Sequence, residues 1–155
     1  MRKQPFYTAP FYIEGLCFSC TRCSTCCRYE RGFVFLTEKD TTLLAAALQV
    51  SYTDFVDTYC RWVSMEPGRE QLSLKEKPNY DCVFWENGCS LYEKRPLQCR
   101  TFPFWESLLA SFDAWKRAAG SCPGMGRGML HGKDEIEAYI IRQRTEPVIS
   151  RGDGA

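Results

Sequence analysis

The chain has 155 residues, enough for one domain with a hydrophobic core of ordinary size. Its 20 basic and 19 acidic residues leave a formal net charge of +1, which excludes an overall electrostatic argument for binding nucleic acid or anionic membranes. No stretch approaches the roughly 18 apolar residues of a membrane span, and residues 1–15 lack the apolar run of a secretory signal, so we expect a cytoplasmic protein.

Cysteine is concentrated near the start of the chain, after an aromatic lead-in over residues 1–16. The stretch CFSCTRCSTCC holds five of the ten cysteines in eleven residues. Within it Cys20, Cys23 and Cys26 repeat at C-x-x-C spacing, and Cys27 follows directly. Two intervening residues allow a tight turn to aim both sulfurs at one metal ion, whereas the side chains of adjacent cysteines diverge. The pattern therefore indicates two metal centres or one polynuclear centre.

A short strand and a helix are predicted next. Residues 33–36 are apolar and predict a strand. Thr37 and Asp40 form an acidic variant of the capping box, and leucine and alanine follow at helical spacing. We therefore expect a helix over about 38–48.

A second helix is predicted to start at Ser51, with Asp54 three residues later. Its apolar face extends to Trp62, and the Pro-Gly pair at 67–68 ends the helical region. Cys60 lies inside this run, which favours a small buried apolar side chain over a metal ligand.

Short strands are predicted over residues 71–76, 82–85 and 89–92. The Asn87-Gly88 pair between the last two is a β-hairpin turn signal. We therefore expect Cys82 and Cys89 to lie near each other, as in a metal knuckle.

Three helical segments are predicted in the last third of the chain. Pro96 suits the start of a helical turn that carries Cys99, and Ser111 caps a helix that ends before Gly120. The last helix spans about 134–144. Its inward positions are predicted to be Ile136, Ile140 and Ile141.

These elements predict a small single α+β domain, with short helices and short antiparallel strands around a cysteine-ligated metal centre. The domain is expected to span residues 17–145. Residues 146–155 are charged and contain glycine, which predicts a flexible tail.

In a reducing cytosol, thiolate metal sites persist while disulfides do not, because the metal rather than an oxidant holds the sulfurs together. The cysteines are therefore interpreted as metal ligands in preference to disulfides or to one redox-active C-x-x-C pair.

Three cysteine-containing stretches follow one another along the chain: FSCTRCSTCCR, CVFWENGCSLYEKRPLQCRTFPF and CPGMGRG. Over about residues 18–128 they resemble the successive signatures of the CxxCxxCC cysteine-cluster family, described as zinc- or iron-chelating and often called YkgJ-like. The resemblance implies eight cysteine ligands and leaves Cys17 and Cys60 outside the pattern. The implied ligands are Cys20, Cys23, Cys26, Cys27, Cys82, Cys89, Cys99 and Cys122.

The metal is zinc or iron on chemical grounds. Eight thiolates divide into two groups of four, and the one histidine, His131, is expected to be a solvated side chain, so a tetrahedral site must be almost wholly sulfur. The even count and the Cys82 and Cys89 pair favour zinc. The C-x-x-C repeat and the remote Cys122-Pro123 favour an iron–sulfur cluster of the 4Fe–4S kind. Both metals stay open.

Thiolate ligands leave an excess of negative charge that needs compensation in a partly buried site. Four arginines lie beside the cysteines in the sequence and are predicted to donate hydrogen bonds to them. They are Arg22, Arg28, Arg95 and Arg100.

Three functional classes follow. The leading one is a metal-binding protein that handles metal or passes electrons. Its expected partners are metal ions, and the sequence does not identify a protein partner. The resemblance extends to part of the flagellin lysine N-methylases, which implies a methylase-related enzyme, although no catalytic motif is present. The third is a zinc-ribbon-like nucleic-acid binder, for which a clustered basic face is required and not evident.

The GMGRG stretch at 124–128 lacks the preceding strand and the spacing of a nucleotide-binding loop. We expect its glycines to allow a close approach of the backbone to the metal centre. The segments 20–27, 82–99 and 122–128 are predicted to converge, with the helices of 38–62 outside, because no segment alone supplies a complete centre.

Overall fold

The computed structural model describes residues 9–23 and 33–152. The chain forms two compact units: unit 1 contains the chain up to Thr21 together with Pro103–Ile140, and unit 2 contains Arg22–Phe102 together with the chain from Ile141 onward. Short helices accompany small antiparallel sheets, so the prediction of an α+β fold is confirmed.

Two helices of unit 2 begin at the predicted caps. Helix α1 spans Glu38–Ala47, and its capping box is complete: the Thr37 hydroxyl accepts from the Asp40 amide, and the Asp40 carboxylate accepts from the Thr37 amide. Helix α2 spans Tyr52–Tyr59, with the Ser51 hydroxyl accepting from the Asp54 amide.

The prediction that the second helix continues to Trp62 is wrong. Strand β2 begins at Cys60 and spans Cys60–Glu66, and β3 spans Arg69–Leu74. The two pair as an antiparallel hairpin that places Trp62 opposite Leu72, and Gly68 in the connecting turn has a φ of 76°. The Pro-Gly pair at 67–68, predicted to end the helix, forms the turn of this hairpin. The pairing of the two strands outweighs the helical spacing of the apolar residues.

The core of unit 2 lies between this sheet and the helix pair. Leu36, Leu44 and Phe55 are fully buried, and the Phe55 ring stacks on the Phe84 ring with centroids 6.5 Å apart. The predicted strand over residues 33–36 is reduced to a bridge between Phe35 and Ser73, although its backbone still hydrogen-bonds to β3.

The cysteine-bearing stretch after β3 is largely irregular. In place of the strands predicted over 82–85 and 89–92, the structure has single bridges from Glu76 to Cys82 and from Trp85 to Cys89. The predicted turn is confirmed, since Asn87 and Gly88 have φ of 54° and 126°. A 3₁₀ turn at Tyr92–Lys94 and helix α3, Leu97–Thr101, follow.

Unit 1 is built on a two-stranded antiparallel sheet of β1, Leu16–Phe18, and β4, Met125–His131. Helices α4, Glu106–Leu109, and α5, Phe112–Ala119, precede β4, and the predicted Ser111 cap of α5 is confirmed. The Phe104 ring, 2% exposed, lies 5.9 Å from the Trp115 ring and 5.6 Å from the Tyr139 ring. This aromatic cluster is the core of unit 1.

Helix α6 spans Lys133–Thr145, close to the prediction. Ile136 is fully buried as predicted, but Ile141 is exposed, so its predicted inward position is wrong. Residues 150–152, in the predicted tail, form β5, Ser150–Gly152, which pairs with Arg69, Glu70 and Gln71 of β3.

Candidate metal centre

Six of the eight predicted ligands lie in the described residues, and none of these forms a disulfide. Cys20 and Cys23 are exposed, while Cys82, Cys89, Cys99 and Cys122 are partly buried. Cys26 and Cys27 lie outside the described residues. Within residues 9–23 and 33–152, no three His, Cys, Asp or Glu side chains are grouped so as to hold a metal ion. The eight-cysteine ligand set therefore stays a prediction.

Unit 1 brings the backbone beside Cys20 to the backbone beside Cys122. The Ser19 amide donates to the Gly124 carbonyl at 3.2 Å, and the Met129 amide donates to the Ser19 hydroxyl oxygen at 2.9 Å. Ser19 therefore joins the end of β1 to both ends of the GMGRG stretch, part of the predicted convergence. Unit 2 contains Cys23, Cys82, Cys89 and Cys99.

The glycines of GMGRG are required by contact with Ser19. A Cβ added at Gly124 would overlap the Ser19 carbonyl oxygen, and one added at Gly128 would overlap the Ser19 hydroxyl. Gly128 also has a φ of 82°, which side chains rarely adopt. Close backbone approach was predicted, and the group approached is the residue immediately before Cys20.

Gly124→Ala is expected to lower the free energy of unfolding by about 1–3 kcal/mol, because the new methyl group displaces the Ser19 backbone. Gly132→Ala is the matched control, since nothing lies within 4 Å of an added Cβ there. It is expected to cost at most about 1 kcal/mol, the effect of replacing a glycine at a helix N-terminus. Chemical denaturation of both variants measures the difference, and equal costs would contradict the close approach.

In unit 2, Arg22, between Cys20 and Cys23, contacts the chain between Cys89 and Cys99. Its guanidinium carbon lies 3.9 Å from the Tyr92 ring centroid, and that of Arg95 lies at the same 3.9 Å. One ring face has room for one guanidinium at that distance, so the two occupy opposite faces. These contacts hold Arg22 beside Tyr92.

Helix α3, which carries Cys99, contacts the segment that begins at Phe33. The Gln98 amide donates to the Phe33 carbonyl at 2.7 Å and accepts from the Phe35 amide at 3.0 Å. The buried Asp40 carboxylate accepts from the Leu97 amide at 3.0 Å. The sequence predicts only the helix-capping role of Asp40, because no local pattern links Asp40 to Leu97.

The four arginines predicted to compensate thiolate charge have different surroundings. Arg22 and Arg95 stack on Tyr92, and the Arg100 guanidinium lies 3.8 Å from the Asp40 carboxylate. Arg28 lies outside the described residues. Their hydrogen bonding to thiolates stays a prediction.

Cys60 differs from the predicted ligands in its burial. It is 5% exposed within the core of unit 2, and this burial raises the pKa of its thiol from 9.0 to about 12, while Lys75 acts in the opposite direction. Because the thiolate is the form that binds metals, this burial supports the prediction that Cys60 is not a ligand, and that exclusion stays a prediction.

Iodoacetamide at about pH 8 is expected to leave Cys60 unmodified in the folded protein, since only the thiolate reacts. The raised pKa also predicts alkaline destabilisation: the contribution to stability is complete below the thiol's ordinary pKa of 9.0 and is lost as the pH rises towards about 12. Cys60→Ala removes this loss. Peptide mass mapping and unfolding at increasing pH provide the measurements, and labelling of Cys60 in the folded protein as fast as in the denatured protein would contradict the assignment.

The expectation that His131 is solvated is wrong, since only 12% of its side chain is exposed. Its Nδ1 lies 2.8 Å from the Glu135 carboxylate, its Nε2 lies 2.9 Å from the Phe18 carbonyl, and the ring packs on Phe104. Both ring nitrogens are engaged within unit 1. His131 is therefore a structural link between β1, β4 and α6.

The chain is thus a small α+β protein with a C-x-x-C pair of free thiols near its start. The chain belongs to the CxxCxxCC family, whose model, described as "Putative zinc- or iron-chelating domain", matches residues 19–123. Over 136 residues it is 27% identical to an uncharacterized protein of Methanocaldococcus jannaschii, a match that covers 83% of this chain and 69% of that protein. No solved structure matches the chain.

The description of the family supports metal binding by this chain and does not distinguish zinc from iron. Among the helices of the described residues, none has both the length and the apolar composition needed to cross a membrane.

Proposed function

We propose that this protein holds zinc or iron through cysteine sulfur and serves in metal handling within a reducing cytosol. The eight ligands are Cys20, Cys23, Cys26, Cys27, Cys82, Cys89, Cys99 and Cys122. The observation that carries the proposal is the contact of Ser19 with Gly124, because it brings together two parts of the chain that each carry a predicted ligand.

The donor chemistry fits both metals. Thiolates are soft ligands that hold zinc in tetrahedral sites and hold the irons of iron–sulfur clusters. The described cysteines are not oxidised to disulfides, and the sole histidine is engaged elsewhere. Coordination by these ligands would cross-link segments that are far apart in the sequence.

Exposure favours metal handling over electron transfer. Cys20 and Cys23 are both exposed residues, so this part of the proposed site is open to an incoming chelator or partner protein. Transfer of a metal ion between proteins proceeds by exchange of such accessible ligands. Electron transfer through an iron–sulfur cluster is the second role that this ligand set supports.

Elemental analysis and the absorption spectrum of anaerobically purified protein test the proposal. We expect tightly bound zinc, or iron with sulfide-to-iron absorption in the visible range. Removing the metal with a strong chelator is expected to loosen the fold, because metal-binding free energy is folding free energy in such sites. Metal-free protein whose near-UV spectrum does not respond to chelator would overturn the proposal.

A further inference from the structure

A cleft in unit 2 is lined by more cationic than anionic side chains. Its volume is about 180 Å³, and it lies against α1, the 3₁₀ turn and α3. The lining residues are Asp40, Leu43, Glu93, Lys94, Arg95 and Arg100. Three of these carry a positive charge and two a negative charge. Whether the cations are neutralised therefore depends on which groups the two carboxylates contact.

The two carboxylates neutralise the cations of the cleft only in part, because the one ion pair between them within the described residues is that of Asp40 with Arg100 at 3.8 Å. Asp40 is 3% exposed, and its oxygens accept from the Thr37 amide and the Leu97 amide, each at 3.0 Å. The Glu93 side chain is 89% exposed and forms an ion pair at 3.9 Å with Arg22, a residue that does not line the cleft. An ion pair with such high solvent exposure contributes little to stability.

One donor of the Arg100 guanidinium has no hydrogen-bond acceptor in the described part of the chain. Its Nη2 lies 3.8 Å from the Asp40 carboxylate, beyond hydrogen-bond range, and its buried Nε has no acceptor within the described part of the chain. A buried donor without an acceptor is costly, so such groups in native proteins generally mark an unseen ligand, ion or water.

Arg95 is held in a fixed orientation on the same cleft. Its Nε donates to the Tyr92 carbonyl at 2.9 Å while its guanidinium stacks on the Tyr92 ring. A guanidinium fixed in this way loses little conformational entropy when it receives an acceptor. Two arginines and Lys94 therefore line a small concave surface before any ligand arrives.

We propose that this cleft binds a small oxyanion, of the phosphate or carboxylate class, through Arg100 and Arg95. Two oxygens that share a negative charge match the paired donors of a guanidinium, which a single halide ion does not. The volume lies below the roughly 300 Å³ at which pockets for larger organic ligands begin, so the occupant is an ion or one charged group.

The test uses the protein as isolated, with its metal content measured before and after. Inorganic phosphate replaces chloride at constant ionic strength while the arginine Nε–H resonances are followed by NMR. The Arg100 Nε–H signal, assigned by its absence in Arg100→Lys, is expected to shift and to saturate. A parallel acetate titration separates the two ligand classes: tighter phosphate binding indicates a phosphate group, and tighter acetate binding indicates a carboxylate.

Variants locate the binding. Arg100→Gln is expected to weaken phosphate or acetate binding, measured by calorimetry, by roughly tenfold or more. Lys94→Gln leaves the Asp40 contacts intact and is expected to weaken it by roughly twofold to fivefold. Arg69→Gln, an exposed arginine of β3 outside the cleft, is the matched control and is expected to bind as the wild type does.

Two results would overturn the proposal. One is an Arg100 Nε–H signal that does not respond to either anion at constant ionic strength. The other is an equal loss of affinity in Lys94→Gln and Arg69→Gln, which would show that the anion responds to the overall charge of the protein and does not bind in the cleft.

Discussion

Cys99→Ser is expected to remove bound metal and to lower soluble yield together. A serine hydroxyl is a poor ligand for zinc or iron, and removing even the hydrogen-bond partner of a ligand costs roughly 10- to 100-fold in metal affinity. Losing a ligand should exceed that range. Helix α3 holds Cys99 next to Gln98, whose side chain contacts Phe33 and Phe35, so loss of the metal also weakens this part of unit 2.

Cys60→Ser is the matched control, because it makes the same atomic change at a cysteine in the core. It is expected to act through packing alone, at about 1 kcal/mol, with metal content unchanged. Metal analysis of both variants, together with Cys20→Ser, measures the contrast. Equal metal loss from Cys60→Ser would show that the assignment of ligands is wrong.

Asp40→Asn is expected to lower the free energy of unfolding by about 2–4 kcal/mol, although the side chain keeps its shape. The two carboxylate oxygens accept from two amides, those of Thr37 and Leu97, and asparagine offers one acceptor oxygen. One buried amide therefore loses its partner. The neighbouring Arg100 also loses the negative charge 3.8 Å away.

Asp54→Asn is the control for this change. Asp54 stands three residues after the Ser51 cap of α2, as Asp40 does after the Thr37 cap of α1, but it is exposed. Its replacement is expected to change stability by no more than about 0.5 kcal/mol. Thermal and denaturant unfolding of both variants decide the matter: similar small losses would contradict a structural role for Asp40 beyond the helix cap.

Local chemistry explains why several elements were predictable. The Thr37 capping box, the Ser111 cap and the Asn87-Gly88 turn each depend on hydrogen bonds or backbone angles within four residues. Such interactions leave a pattern in adjacent residues, so the starts of α1 and α5 follow from the sequence.

The errors occur where a distant partner decides the local structure. The helical spacing up to Trp62 was overridden because β3 pairs with that stretch as a strand. No strand was predicted over residues 125–131, yet they form β4 because β1 lies alongside. In both places the hydrogen bonds of a sheet outweigh a weak local preference.

By itself, the sequence determined the family, the α+β class and the set of cysteines available as ligands, because spacing and residue type carry that chemistry directly. Only the tertiary structure decided which distant groups meet. Asp40 and Leu97 are 57 residues apart and Ser19 and Met129 are 110 apart, and contacts at such separations leave no local pattern. The burial that keeps Cys60 protonated and the missing acceptor of Arg100 likewise arise from the packing of many segments, so they emerge only once the chain has folded.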